Sequence, residues 1–307
     1  MTAKALLVAA GALALGGGAS ASRLPQAPAC PVFPPSNPWN QRVDRLPVAA
    51  GSARVVASIG AEDHLHADFG SGLWDGGPIG IPITVVRGSQ RKSRVDFEYA
   101  SESDRGPYPI PPNVAIEGGN AADGDRHALI VDRDGCRLYE LFALRPTAGG
   151  GWRAGSGAIF DLRSNRLRPA GWTSADAAGL PILPGLARYE EVARGRIDHA
   201  LRFTVSRTRR AYVWPARHFA SGATDPSLPP MGLRFRLKRT YPIGGFPRQA
   251  RIVLQALKEY GMIVADNGSN WYLGGVPSPR WSNEQLHALH RVPGSAFEVV
   301  DGTKLRP

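Results

Sequence analysis

Lysine is nearly missing from a strongly basic chain. Only five of its 37 basic residues are lysine (Lys4, Lys92, Lys238, Lys258 and Lys304); the others are arginine. The net charge is +11. Arginine grips carboxylate and phosphate through a planar fork. Such a balance suits acidic polysaccharide, a cell-wall polyanion or lipid headgroups, and equally a GC-rich genome that writes Arg for Lys. No basic run with interleaved aromatics is present, which argues against nucleic acid as a partner. No stretch of 18 apolar residues follows the N-terminal segment, so no helical membrane span is expected. His-Glu-x-x-His, a P-loop and the Rossmann glycine fingerprint are all lacking. Gly155-Ser156-Gly157 does not complete the Gly-x-Ser-x-Gly elbow of esterases. No cofactor and no metal are expected.

Cysteine is down to two residues, Cys30 and Cys136. Their meaning depends on compartment. Lys4 precedes an apolar run, Ala5 to Leu15, and Ala19-Ser20-Ala21 has the small-x-small pattern of a signal peptidase site. The first 22 residues therefore read as a secretory signal peptide, with the mature chain starting near Ser22 and working in the extracellular space or periplasm. In an oxidising compartment the pair reads as a disulfide. It would close a loop of roughly 107 residues, worth on the order of 4 kcal/mol by loop entropy. The alternatives are lipid attachment at Cys30, or two free thiols.

Glycine (36) and proline (27) are abundant, which implies many turns and short elements. Residues 23–40 form a Pro-rich arm, expected to be extended or polyproline-like. Residues 41–307 read as a single β-rich domain. Short β-like runs are expected at 81–86, 94–100, 127–132, 137–144, 157–162, 199–205, 211–214 and 232–238. Regular short strands with turn-rich spacers suggest a β-sandwich or jelly roll. Two helices are expected near the C-terminus. One covers 248–260, with apolar Ile252, Val253, Ala256 and Leu257 as its stripe. The other starts at Ser282, with Gln285 completing a capping box. Residues 262–265 and 297–301 read as strands.

Asp134-Gly135 between two alternating runs predicts a two-residue type I′ hairpin. That register sets Leu129 opposite Glu140 and Asp132 opposite Arg137, with an ion pair between the latter two. Alternation puts His127, Leu129 and Val131 on one face with Leu138, Glu140 and Phe142. His127 and Glu140 then share a face. They form either a satisfied core pair or the wall of a cleft in which Glu140 transfers protons.

Other carboxylates cluster in the loop 102–126: Glu102, Asp104, Glu117 and Asp125, with Arg126 beside them. Paired carboxylates can act on a glycosidic bond; a solvated, salt-bridged loop or a calcium site would look similar. His64-Leu65-His66-Ala67-Asp68 has His-x-His spacing that suits zinc or copper given a third ligand, and also suits plain surface histidines. Asp176 reads as a catalytic acid or a helix cap. Asp266-Asn267-Gly268-Ser269-Asn270-Trp271-Tyr272 has the texture of a sugar platform and of an ordinary turn.

The strings "GDRHALIVDRDGCRLYELFAL", "GWTSADAAGLPILPGLARYEEV", "HALRFTVSRTRRAYVWPARH" and "LKEYGMIVADNGSNWY" resemble a family of secreted proteins of unknown function found in soil bacteria. The resemblance spans roughly residues 30 to 301 and implies export and one full-length domain; it brings no activity. The residues themselves point to a carbohydrate-active enzyme, a glycoside hydrolase or polysaccharide lyase acting on extracellular polysaccharide or cell-wall polymer. Glu140 is the expected acid or base, tuned by His127, with Glu102, Asp104, Glu117 or Asp125 as the second carboxylate. Arg126 and Arg217 would bind substrate anions, and Trp271 and Tyr272 would stack a sugar ring. The rival is a non-catalytic cell-wall or glycan-binding protein.

Overall fold

A computed structural model describes residues 22–305 and is mainly β. The expected signal segment lies outside the described residues, apart from Ser22. Two sheets organise the chain. The first has four strands in the order Ser156–Asp161, Arg137–Phe142, Ala128–Asp132 and Ile83–Val86. The second has six, in the order Phe297–Val299, Arg234–Leu237, Met262–Asn267, Leu201–Val205, Tyr272–Gly274 and His66–Asp68. A three-stranded sheet and two short hairpins complete the β structure. Parallel pairs occur in each larger sheet: Ile83–Val86 with Ala128–Asp132, Leu201–Val205 with Met262–Asn267, and His66–Asp68 with Tyr272–Gly274. These set the sheets apart from the antiparallel ladders of a jelly roll.

Strand alternation explains the packing of the first sheet. Leu129, Val131 and Leu138 go to one hydrophobic cluster, and Ala128, Ile130, Tyr139 and Leu141 to another. Both faces are covered, which is why these strands read as nearly continuous apolar runs. The hairpin register is as the sequence implies: Leu129 opposite Glu140, Asp132 opposite Arg137. The bend differs. It spans four residues, 133 to 136, and the positive φ falls on Cys136 (50°). Asp132 does not pair with Arg137. Its Oδ1 accepts the backbone N–H groups of Asp134 and Gly135, both at 3.0 Å. A short carboxylate satisfies its own turn amides more readily than it reaches across strands.

The described residues contain four α-helices: α1 (Ser52–Ile59), α2 (Tyr189–Arg194), α3 (Arg248–Glu259) and α4 (Asn283–His287). The first two carry little sequence signal. α1 follows Gly51, which offers no capping side chain, and α2 is too short for a stripe to show. α3 buries Ile252, Val253, Ala256 and Leu257 against the six-stranded sheet. Gly261 after it has φ 69°, and a Cβ there would stand 2.0 Å from the Phe235 carbonyl oxygen, so only glycine fits. In α4 the Ser282 hydroxyl accepts from Gln285 N–H at 3.2 Å. The return bond of the capping box comes from the neighbouring helix instead: Ser282 N–H donates to Gln249 Oε1 at 2.9 Å. The expected strand 211–214 reduces to a single bridge between Tyr212 and Met231.

The Pro-rich arm is part of the packed structure. Arg23–Leu24 and Ala27–Pro31 form a small antiparallel hairpin, and Leu24, Val32 and Phe33 are buried with the first sheet. Cys30 is joined to Cys136 across a sequence separation of 106. Replacing both by serine should cost about 4 kcal/mol of unfolding free energy in urea, the loop-closure value for a separation of that length. A loss below about 1 kcal/mol would show that packing alone seats the arm.

Candidate active site

The site forms where the edge of the six-stranded sheet meets loops from the four-stranded one. Its floor follows from register. His66 pairs with Tyr272 and Asp68 with Gly274, while Tyr272 pairs with Thr204. Side chains at alternate positions share a face, so His66, Asp68 and Tyr272 stand together. His66 stacks on Tyr272 with ring centres 4.1 Å apart. A Cβ on Gly274 would lie 3.0 Å from Arg202 Cγ. The missing side chain lets the Arg202 stem lie across that row.

One wall is a hairpin, Leu73–Trp74 with Gly77–Pro78. Asp75 and Gly76 both have positive φ (49° and 81°). This is the chain's true two-residue Asp-Gly type I′ turn. A Cβ on Gly77 would overlap the backbone of Gly118, 2.0 Å from its carbonyl oxygen. The hairpin is thus seated directly on the Glu117 loop. It holds Trp74 at 78% exposure on the rim.

The adjoining wall is the loop after Ile116, shaped by a buried arginine. Arg126 donates through Nη1 to the carbonyls of Gly119 (3.2 Å), Asn120 (2.9 Å) and Ala122 (2.9 Å), and through Nε to Leu144 O (3.0 Å). Glu117 N–H donates to the His127 carbonyl at 3.0 Å, and Glu117 Oε2 lies 2.5 Å from His127 Nδ1. The other ring nitrogen of His127 faces the Ala175 carbonyl at 3.0 Å. With an acceptor at each nitrogen, the ring is set up to donate from both, which is the imidazolium form.

These elements enclose a cleft of about 690 Å3, lined among others by Asp68, Glu117, Trp74, Tyr272, His287 and His290. Its two central carboxyl groups sit in opposed environments. Asp68 is open to the cleft yet surrounded by protein; that desolvation raises its pKa, and the Glu117 charge raises it further. For Glu117, burial would also raise the pKa, but the His127 charge and hydrogen bonds hold it below the ordinary range. Burial alone would lower His127; the Glu117 carboxylate overrides this and pushes it up to about 9. His66 and His290 share a 2.6 Å contact, and desolvation keeps both lowered, hence neutral at pH 7. His64 is exposed and bridges to Pro293 instead. Among the described residues no group of three His, Cys, Asp or Glu has metal-holding geometry.

A second cleft of about 430 Å3 holds Glu102, Asp125, His218 and Asp266. A bulge opposite Phe203/Thr204 interrupts the ladder just before Asp266. Asp266 is raised to about 7, by desolvation first and then by the neighbouring Asp176. Asp176 is fully buried and gripped by Arg202 through Nε (2.9 Å) and Nη2 (2.7 Å).

Glu117 and Tyr272 thus meet in the first cleft, and Glu102 and Asp125 in the second. Glu140 lines neither. It is fully buried, and its oxygens accept the backbone N–H groups of Ile182 and Leu183 at 2.9 Å. Burial raises it to about 7, against the pull of those amides. His127 contacts Glu117, not Glu140. Asp104 is tied to Arg168 Nη1 (2.5 Å) and to Ile159 N–H (2.8 Å). Arg126 clamps a loop, and Arg217 Nε donates to the Arg168 carbonyl at 2.9 Å. Trp271 is fully buried, stacked between Phe203 and Phe297, with Nε1 donating to Gly60 O; a residue so enclosed offers no face to a sugar. Asp68, Trp74, Arg202 and Asp266 are the additions. Asp68 stood in view beside the His-x-His pair, and the Asp-Gly turn at 75–76 is a signal that marks the Trp74 hairpin.

Compared with known proteins, the chain matches no family model, no curated protein and no solved structure.

The His127–Glu117 pair makes stability depend on pH. A base whose folded pKa lies above its unfolded value of 6.5 adds stability that is complete below pH 6.5 and lost as pH rises through about 9. Glu140 and Asp266, near 7, have largely ionised by pH 8. Between pH 8 and 9.5 the wild type should lose unfolding free energy, and Glu117→Gln should show a flatter profile. Parallel profiles for the two proteins in urea titrations would disprove the pairing.

Proposed function

We propose that the chain is an exported carbohydrate-active enzyme, a glycoside hydrolase or polysaccharide lyase, working by carboxylate acid/base chemistry in the larger cleft. One observation carries this reading. Two carboxyl groups share one open cleft, and their surroundings drive their protonation apart: Asp68 up, Glu117 down. Such divergence is how paired carboxylates divide acid and base roles at one pH. Asp68 is the proton donor to a leaving oxygen. Glu117, kept charged by His127, is the base or nucleophile. His127 is a positioning residue, since it touches Glu117 and does not line the cleft.

The aromatic surfaces fit the same reading. Trp74 on the rim and Tyr272 on the floor offer flat apolar faces of the kind that stack on pyranose rings. The signal-like N-terminus and the Cys30–Cys136 disulfide support export. Membership of a soil-bacterial family of secreted proteins belongs to this proposal too. The sandwich-like layering expected from the strand spacing is carried with it as a proposal of architecture.

A non-catalytic glycan binder is the second reading, favoured by the exposure of Trp74. Turnover separates the two. The mature protein is incubated with a panel of polysaccharides, and new reducing or unsaturated ends are measured. Asp68→Asn and Glu117→Gln should each lose roughly 10²–10⁴-fold in kcat, the usual worth of a positioned acid or base. Trp74→Ala should raise KM with little change in kcat. Glu140→Gln, which keeps an acceptor for the two backbone amides, should retain activity. Full activity in both cleft variants ends the proposal. Trp74-dependent binding without turnover of any polymer selects the binder.

A further inference from the structure

The larger cleft has a charge opposite to that of the molecule around it. The chain carries +11, almost all of it on arginine, yet among the described residues no arginine or lysine lines this cleft. Four acids do: Asp68, Asp75, Glu117 and Asp123. Two guanidinium groups behind the cleft are already engaged. Arg126 is spent on four carbonyls behind the loop, and Arg202 holds Asp176 through two nitrogens. Three histidines line the cleft, His66, His287 and His290; burial disfavours the charged form of His66 and His290.

The net field inside follows from these neighbours. Glu117 is balanced by the buried His127 charge, and Asp68 is biased towards its neutral form. Asp75 and Asp123, both exposed on the walls, make no side-chain ion pair among the described residues; Arg145 Nη2 lies 3.5 Å from the Asp123 carbonyl, not at its carboxylate. They leave the mouth negative beside two aromatic faces. A negatively lined concavity concentrates cations and repels anions.

Resting on the reading of the cleft as a glycan site, we infer that its substrate is a polymer of basic amino-sugars, and that uronate or sulfated glycans are rejected. An ammonium group on the sugar meets the carboxylates of Asp75 and Asp123, while the apolar ring faces meet Trp74 and Tyr272. The arginine-rich exterior therefore does not describe the substrate. It would repel a cationic polymer everywhere except at the cleft, which confines productive contact to that place.

The test uses the whole mature protein carrying Asp68→Asn to block turnover. Calorimetry measures binding of three probes at pH 6: a tetramer of β-1,4-linked glucosamine, its N-acetylated counterpart and a tetramer of galacturonate. The amino-sugar should bind at least tenfold more tightly than the galacturonate, with the neutral probe between. Adding Asp75→Asn and Asp123→Asn should weaken the amino-sugar at least threefold and leave the neutral probe unchanged. Asparagine tolerates the left-handed backbone at position 75, so the hairpin is kept. High salt should weaken the amino-sugar alone. Galacturonate binding as tightly as the amino-sugar, or a preference that survives the two asparagines, overturns the charge inference and leaves the glycan reading standing. If none of the three binds, both are overturned.

Discussion

The contact between His127 and Glu117 is the constraint on which the site depends. It is short, largely shielded from water, and shared between a strand edge and a loop. From one side, the apolar packing of Ala128 to Val131 fixes where the imidazole stands. From the other, the Arg126 clamp fixes the loop that carries Glu117. The pair then sets a charge state. Glu117 is favoured in its ionised form, and its charge adds to the burial that raises the pKa of Asp68. Packing, loop shape and protonation are joined through one hydrogen bond in a setting where charges interact strongly.

The same economy appears across the sheet. Gly274 has no side chain, so Arg202 lies over it and reaches Asp176. Gly77 has none either, so the Trp74 hairpin rests against Gly118. Each glycine marks a place where two backbones, or a backbone and a long side chain, come closer than a Cβ allows. Acids and aromatics from three distant segments, 66–75, 117–123 and 272–290, reach one cleft by this means.

Much of the local structure was legible in the sequence. The stripe at Ile252, Val253, Ala256 and Leu257 gave α3, and alternation around Asp134-Gly135 gave the register that sets Leu129 opposite Glu140. Long-range pairing was not legible. Nothing in His66–Asp68 announces a parallel partner 206 residues away at Tyr272–Gly274, so Asp68 could not be placed beside Glu117. Glu140 misled for a related reason. Hairpin register shows that it shares a face with His127; it does not show that Ile182 and Leu183 close over it and take both oxygens. Trp271 misled because the polar string before it, Asp266 to Asn270, hides a core residue. Composition does not report local charge: among the described residues no arginine lines the larger cleft.

The central claim is that one cleft pushes the pKa values of its two carboxyl groups in opposite directions. A carboxyl-carbon NMR titration of the isotope-labelled mature protein, with Asp68→Asn and Glu117→Gln used for assignment, measures this directly. The account predicts that Asp68 titrates above 3.8 and Glu117 below 4.5, their ordinary values. Both groups titrating at their ordinary values, or either one shifted the other way, would contradict it.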